Sequence, residues 1–185
     1  SELEFNTLTK EFADSAPLFS MLGDSQPVET TRHYQIIKNR TDLDKLIRKL
    51  WETEHWSFEV DDSNSESKAS SFDKKEPLGV AIAIGAGASH YIDLANFEGG
   101  KDEAVAPLRD ILSNGFLEKC VYDFKRNLSV LKKLDITPEA VSDDICIAAY
   151  LIDSSRKNEI NFLAQINLNL DAATEIDEGF TDSQL

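Results

Sequence analysis

The chain has 185 residues, of which 41% are hydrophobic, and a formal net charge of −15 from 34 acidic and 19 basic residues. This length and apolar content fit one domain with a single core. The charge argues against a free-standing nucleic-acid binder, because Lys and Arg supply most phosphate affinity. No apolar run approaches the roughly 18 residues of a membrane span, and no signal peptide pattern is present, so we expect a cytoplasmic protein.

The first 32 residues read as a lead-in, with apolar residues at a helical spacing near the start and a Pro- and Ser-bearing stretch after them. Residues 33–37 form the first predicted strand. A helix capped by Thr41 should extend to about residue 53, because its apolar residues recur at i, i+3, i+4 and i+7. Residues 56–60 form a second strand, and the polar residues 61–76 predict a mobile loop.

The middle of the chain predicts a hairpin and then a helix. Strands over residues 78–84 and 90–94 flank the turn Gly85-Ala-Gly-Ala. The turn joins two strands and opens no helix, so it is not a phosphate-binding loop. The helix that follows begins at a pair of acidic residues and ends at Asn114-Gly115.

Next, the pattern predicts a short strand over residues 119–122 and a helix over residues 123–134. The inward face of this helix is expected to carry three apolar residues: Phe124, Leu128 and Leu131. Further helices are predicted over residues 143–152 and 159–165. We interpret Asp143 and Asp144 as acids that cap the first of these helices.

Cys120 and Cys146 each lie in an apolar run, so we expect two reduced thiols buried in the core. The three histidines lie on strand-like segments without a second His or Cys at metal-ligand spacing, which predicts no zinc site: His33, His55 and His90. Strands followed by alternating helices and strands indicate an α/β architecture with one mixed sheet covered by helices. Such a fold does not by itself define a function.

The order and spacing of residues 121–136 and 142–152 resemble the second half of the 3′–5′ exonuclease domain of bacterial DNA polymerase I. The resemblance extends from about residue 33 to residue 165. Residues 3–8 resemble the linker that follows the 5′ nuclease region of that polymerase. The resemblance implies a ribonuclease-H-like fold, in which a mixed β-sheet is flanked by helices.

On this resemblance the chain divides into a linker over residues 1–32, an exonuclease-like domain over residues 33–170 and an acidic tail over residues 171–185. The tail contains acids and no base, and we expect it to be frayed. Because the chain begins at Ser1 and not at Met, we expect it to be a fragment of a longer protein.

Working members of that family hold two divalent metals with acids from three motifs: an Asp-x-Glu pair on a strand, an Asp on a helix and a Tyr-x-x-x-Asp. Two hard cations need several oxygen ligands to clamp the attacking water and the leaving oxygen. The first motif reads Phe58-Glu-Val-Asp61, which places Glu59 and Asp61 on one strand face in reversed order. The reversal moves each carboxylate by about one methylene, and a misplacement of ~1 Å can cost ~100-fold in rate.

Asn127 stands at the position of the helical aspartate, and the helical period predicts that it points toward the sheet. An amide oxygen brings no charge to offset a dication. The third motif is absent from this sequence, so a third acid could only come from beyond Leu185.

Each candidate residue also has a purely structural interpretation. Glu59 and Asp61 could be solvated strand charges or a vestigial site, and Asn127 a hydrogen-bonded helix residue. A set of basic residues could form a strip, although a solvated helix face explains it equally well: Lys119, Lys125, Arg126, Lys132 and Lys133.

The resemblance therefore implies an exonuclease-like domain with a degenerate metal site and no cofactor, retained as a structural spacer in a replication and repair polymerase. Its partners would be the remaining polymerase domains, DNA within the whole enzyme, and no membrane. The alternative is a weak exonuclease on single-stranded DNA ends, which would bind Mg²⁺ or Mn²⁺ through Glu59 and Asp61. An acidic protein-interaction module is a third possibility, based only on net charge.

Overall fold

The computed structural model describes residues 33–62 and 76–168. In chain order these residues form β1 His33–Ile37, α1 Arg40–Trp51, β2 His55–Asp62, β3 Pro77–Gly85, β4 Ala88–Asp93, α2 Lys101–Leu112, β5 Glu118–Val121, α3 Phe124–Leu131, β6 Val141–Asp144, α4 Ile145–Ile152 and α5 Ile160–Leu168. A 3-10 helix, Lys132–Leu134, extends α3. Within these residues no helix is both long and apolar enough to cross a bilayer.

The six strands form one mixed sheet in the order β1-β4-β3-β2-β5-β6. The pairs β2–β3 and β3–β4 are antiparallel. The pairs β1–β4, β2–β5 and β5–β6 are parallel. The predicted mixed sheet flanked by helices is confirmed. β5 pairs with β2 only as far as Phe58 opposite Val121, so β2 continues beyond the end of its neighbour.

The core explains why β2 alternates. Trp56, Phe58 and Val60 are at most 3% exposed, whereas the residues between them are partly exposed. The buried residues belong to one hydrophobic cluster with the inward faces of α1 and α2, which include Leu43 and Leu108. Burial of one such side chain contributes about 1.5–3 kcal/mol, so this cluster fixes which face of β2 points inward.

Most predicted elements are present, with shifted ends. The cap of α1 is Asn39, whose side-chain oxygen accepts from Asp42 N at 2.9 Å, and not Thr41, which lies inside the helix. Asp61 and Asp62 extend β2, so assigning them to a loop was wrong. The remainder of that loop to residue 75 lies outside the described residues, as do the lead-in and the acidic tail.

β6 was not predicted, because its four residues show no regular alternation. Asp143 lies in this strand, so the capping role assigned to it is wrong. Asp144 does cap α4, since its Oδ1 accepts from Cys146 N at 2.9 Å. Its Oδ2 accepts from Phe124 N at 2.8 Å, so one carboxylate holds the first turns of both α3 and α4.

The two cysteines are free thiols, as expected, but both are only partly buried, so placing them in the core was wrong. Cys146 Sγ accepts a hydrogen bond from Asn158 Nδ2 at 3.1 Å, within the segment that joins α4 to α5.

Lys119 is fully buried and cannot belong to a surface strip. Its Nζ donates to the carbonyl oxygens of Asn114 at 2.8 Å, Leu117 at 2.6 Å and Glu139 at 3.0 Å. The ammonium also lies 5.4 Å from the centre of the Trp56 ring. Burial lowers the pKa of Lys119 to about 8, which leaves it charged at neutral pH. The Lys119 side chain therefore links the loop before β5 to the segment before β6 by hydrogen bonds.

Replacing this ammonium by an apolar chain of similar length should destabilise the fold. We expect Lys119→Met to lower the free energy of unfolding by about 3 kcal/mol, because three carbonyl groups lose their donor. Urea denaturation measures the change. Lys125→Met is the control, since Lys125 is exposed and should shift stability by less than about 0.5 kcal/mol. Equal stabilities of the two variants would contradict this role.

Candidate active site

The candidate site lies where β5 ends and β2 continues past it. Among the described residues, β2 has no strand neighbour on this side beyond Phe58, and α3 takes that place. Asn127 Oδ1 accepts from Val60 N at 2.7 Å, and Arg126 Nη2 donates to Val60 O at 3.3 Å. Two adjacent side chains of α3 thus satisfy both backbone groups of a buried strand residue.

Asn127 is fully buried, as the prediction that it points toward the sheet requires. Its Nδ2 lies within hydrogen-bond distance of three acceptors: Tyr122 O at 2.8 Å, Asp123 O at 3.0 Å and Glu59 Oε2 at 3.2 Å. The amide therefore directs its oxygen at the backbone of Val60 and its nitrogen at the Glu59 carboxylate. The atom of Asn127 that faces Glu59 is therefore a donor nitrogen and not a metal-ligating oxygen.

The buried face of α3 is rotated from the predicted one. Its buried residues are Asn127, Val130 and Leu131, while Leu128 and Phe124 are only partly buried. The rotation follows from the hydrogen bond between Asn127 and Val60 N. With Asn127 facing β2, Val130 and Leu131, one helical turn later, face the core.

Glu59 is held by α3 through both carboxylate oxygens. Oε1 pairs closely with Arg126 Nη1, and Oε2 accepts from Asn127. Burial raises the pKa of Glu59, although the hydrogen bond from Asn127 and the charge of Arg126 oppose the rise. Arg126 Nη2 also lies 3.2 Å from Oδ2 of Asp62, whose side chain is 0% exposed. The guanidinium therefore lies between two carboxylates of β2.

Asp61 shares the partly exposed face with Glu59, as predicted, but has a different partner. Its Oδ2 accepts from the hydroxyl of Tyr91 on β4 at 2.8 Å. β3 and β4 lie on one side of β2 in the sheet order, whereas α3 lies on the other side, beyond the end of β5, so Glu59 and Asp61 interact in opposite directions. Tyr91 passes over Gly79, where an added Cβ would lie 2.2 Å from the ring.

These residues do not fit a divalent metal centre. Among the described residues no group of three His, Cys, Asp or Glu side chains could hold an ion. Mg²⁺ requires several anionic or neutral oxygens around it. Here the oxygens of Glu59 face a guanidinium and an amide N–H, and a cation beside Arg126 would meet a like charge. His55, one of the three histidines, pairs with a carboxylate: its Nε2 lies 2.8 Å from an oxygen of Glu118.

A mixed sheet of this order, with a polar cluster at the end of β2 beside α3, defines the chain as a ribonuclease-H-like α/β protein. The chain belongs to the family described as DNA polymerase I, ribonuclease H-like domain, whose model matches residues 65–176. The resemblance read from the sequence is thereby confirmed. The match includes Asn127 and begins after β2, so Glu59 and Asp61 lie outside it.

Solved structures show the same fold. Pol1 of M. smegmatis, in a complex with DNA primer-template and dNTP, is 19% identical, with a TM-score of 0.62 over 75% of this chain and 23% of that one. Trypanosoma brucei RNase D in its GMP complex is 16% identical, with a TM-score of 0.61 over 74% and 42%. Escherichia coli RNase D, an exoribonuclease involved in structured RNA processing, is 13% identical, with a TM-score of 0.59 over 83% and 38%.

The chain thus spans less than half the length of each of these three proteins. A comparison with curated proteins gave no significant match. At such identities the structural likeness establishes the fold alone. Exonucleases of this fold family normally use divalent metals, whereas the described residues of this chain contain no group of three His, Cys, Asp or Glu side chains that could hold an ion.

Sequence reasoning missed Arg126, Asp62 and Tyr91 as members of the site. One signal was available: Asp62 continues the every-second-residue spacing of the buried Trp56 and Val60 along β2. A carboxylate on a core-facing position requires a partner, which indicates that a cation comes from elsewhere in the fold.

Placing an acid at position 127, where the resemblance puts a helical aspartate, should destabilise this protein. In Asn127→Asp one carboxylate oxygen could still accept from Val60 N. The other would face three hydrogen-bond acceptors, including Glu59, and could not donate to them. We expect the free energy of unfolding to fall by about 2–4 kcal/mol at pH 7. The loss should shrink in acid, because a protonated Asp can donate one of the lost bonds.

The matched control is Asn114→Asp, because the side-chain oxygen of Asn114 accepts from Phe116 N and an aspartate keeps that bond. Thermal and urea denaturation at pH 7 and pH 5 compare the two variants. If Asn127→Asp were as stable as the control, the orientation of the amide would have no structural importance.

Proposed function

We propose that this exonuclease-like domain of the DNA polymerase I family is degenerate at its metal site and serves as a structural spacer that positions the polymerase domain. One observation supports the proposal most directly. The polar groups at the three candidate positions are engaged by the protein itself: Glu59 by Arg126 and Asn127, Asn127 by Val60 N, and Asp61 by Tyr91. A two-metal hydrolase instead keeps ligand positions open for ions and water.

The alternative, a weak exonuclease on single-stranded DNA ends, requires two cations at Glu59 and Asp61 and a third acid. Cation binding would first have to displace Arg126 from Glu59, which costs a charge-assisted hydrogen bond. A net charge of −15 also repels the phosphates of an approaching strand. The cost of displacing Arg126 and the negative net charge both favour the spacer.

The proposed organisation has residues 1–32 as a linker, 33–170 as the exonuclease-like unit and 171–185 as an acidic tail. The proposed partners are the other domains of a parent polymerase, with DNA bound by the whole enzyme in the cytoplasm. Membership of the polymerase I family and the acidic charge of this piece support this assignment.

Nuclease activity tests the proposal directly. We expect the 185-residue chain to leave a 5′-labelled single-stranded oligonucleotide intact in Mg²⁺ or Mn²⁺, because its candidate ligands are engaged by other residues. Denaturing gel electrophoresis over hours measures shortening from the 3′ end. Metal-dependent shortening that is abolished in Glu59→Gln/Asp61→Asn would falsify the degenerate-site proposal and support the alternative.

Restoring the acids of the family should not restore activity. We expect Glu59→Asp/Asp61→Glu/Asn127→Asp to remain inactive, because Arg126 still competes for the carboxylates and the third-motif acid is absent from the sequence. The triple variant should also melt below the wild type, as its added carboxylate faces acceptors.

The same oligonucleotide assay and a thermal melt, with and without Mn²⁺, measure both effects of the triple variant. Rapid Mn²⁺-dependent digestion would mean that only the metal ligands had been lost and that the protein still admits a single DNA strand to the site.

A further inference from the structure

We propose that the guanidinium of Arg126 is a built-in cation of this site, which supplies the positive charge that divalent metals supply in working exonucleases. The inference deepens the proposed function and rests on the site being degenerate. Under this inference the site has not only lost metal ligands. The charge of Arg126 also takes the place of the metal ions and closes the site.

The contacts of Arg126 carry this proposal. Its side chain reaches from α3 to three groups of β2: the Glu59 carboxylate, the Val60 carbonyl at 3.3 Å and the Asp62 carboxylate at 3.2 Å. Its own side chain is 25% exposed, so solvent screens these contacts less than at an open surface. The planar guanidinium has five donors, which allows one side chain to serve all three acceptors.

The charge balance around Arg126 also supports its role as the cation of the site. Asp62 is fully buried and Glu59 is partly buried, and both lie on a strand of a protein with a net charge of −15. Buried carboxylates are costly unless a cation compensates them. The pKa of Arg126 is raised, since burial lowers it but Glu59 and Asp62 outweigh burial. The guanidinium thus remains charged wherever the protein is folded.

Removing this charge should create a need for another cation. In Arg126→Gln, Glu59 would lose its ion pair and Asp62 would lose its contact with the guanidinium, so the local negative charge would rise and favour binding of a hard dication. The inference therefore predicts that wild-type stability is independent of Mn²⁺, whereas the stability of Arg126→Gln increases with Mn²⁺.

The experiment is a set of thermal melts of the 185-residue chain in EDTA and in millimolar Mn²⁺. The variants are Arg126→Gln and, as the matched control, Lys125→Gln, which removes the same charge from the exposed adjacent residue. In EDTA we expect Arg126→Gln to melt roughly 5–10 °C below wild type and Lys125→Gln within about 2 °C of it. In Mn²⁺ we expect Arg126→Gln to recover several degrees and the other two proteins not to change.

Two results would overturn the proposal: equal melting temperatures of Arg126→Gln and Lys125→Gln in EDTA, or a Mn²⁺ shift of the same size, zero included, in wild type and Arg126→Gln. If Arg126→Gln yields no folded protein, Arg126→Lys decides. A folded Arg126→Lys supports the role of the charge, and a failure of this variant to fold overturns it. No nuclease assay enters this test, so its failure is distinguishable from failure of the proposed function.

Discussion

The backbone of Val60 is the constraint on which the site depends. β5 is four residues long and β2 is eight, so the N–H and C=O of Val60 are buried beyond the last strand pair. Leaving such groups without partners costs about 1–3 kcal/mol each. Asn127 and Arg126 satisfy them, which fixes the position of α3 against the sheet and brings its two polar side chains to Glu59.

This arrangement decides the chemistry of the site. Because the oxygen of Asn127 must face the N–H of Val60, its nitrogen must face Glu59, and the amide binds the carboxylate as a donor. Arg126 completes the same contact with a full positive charge. Glu59 and Asn127, which the resemblance places at metal-ligand positions, here join a helix to a strand. Stability and metal binding therefore make opposite demands on the same side chains.

The same principle applies at the other short strands. Lys119 binds three carbonyl oxygens from the segments that precede β5 and β6, and Asp144 accepts from the first turns of α3 and α4. Strands of four residues make few ladder hydrogen bonds, so charged side chains at their ends supply additional ones. Arg126 and Asp144 thus hold this half of the sheet to its helices, and Lys119 holds together the segments that precede β5 and β6.

The sequence by itself determined the order of most elements, the hairpin, the shared face of Glu59 and Asp61 and the inward direction of Asn127, because these follow from the local periods of strands and helices. Only the tertiary structure decided that Arg126 pairs with Glu59, 67 residues away in the chain, that Lys119 is buried, and that residues 141–144 form a strand. Those outcomes depend on which segments meet in space. Hydrophobic periodicity carries no information on pairing between distant polar groups, and a four-residue edge strand is too short to show a period.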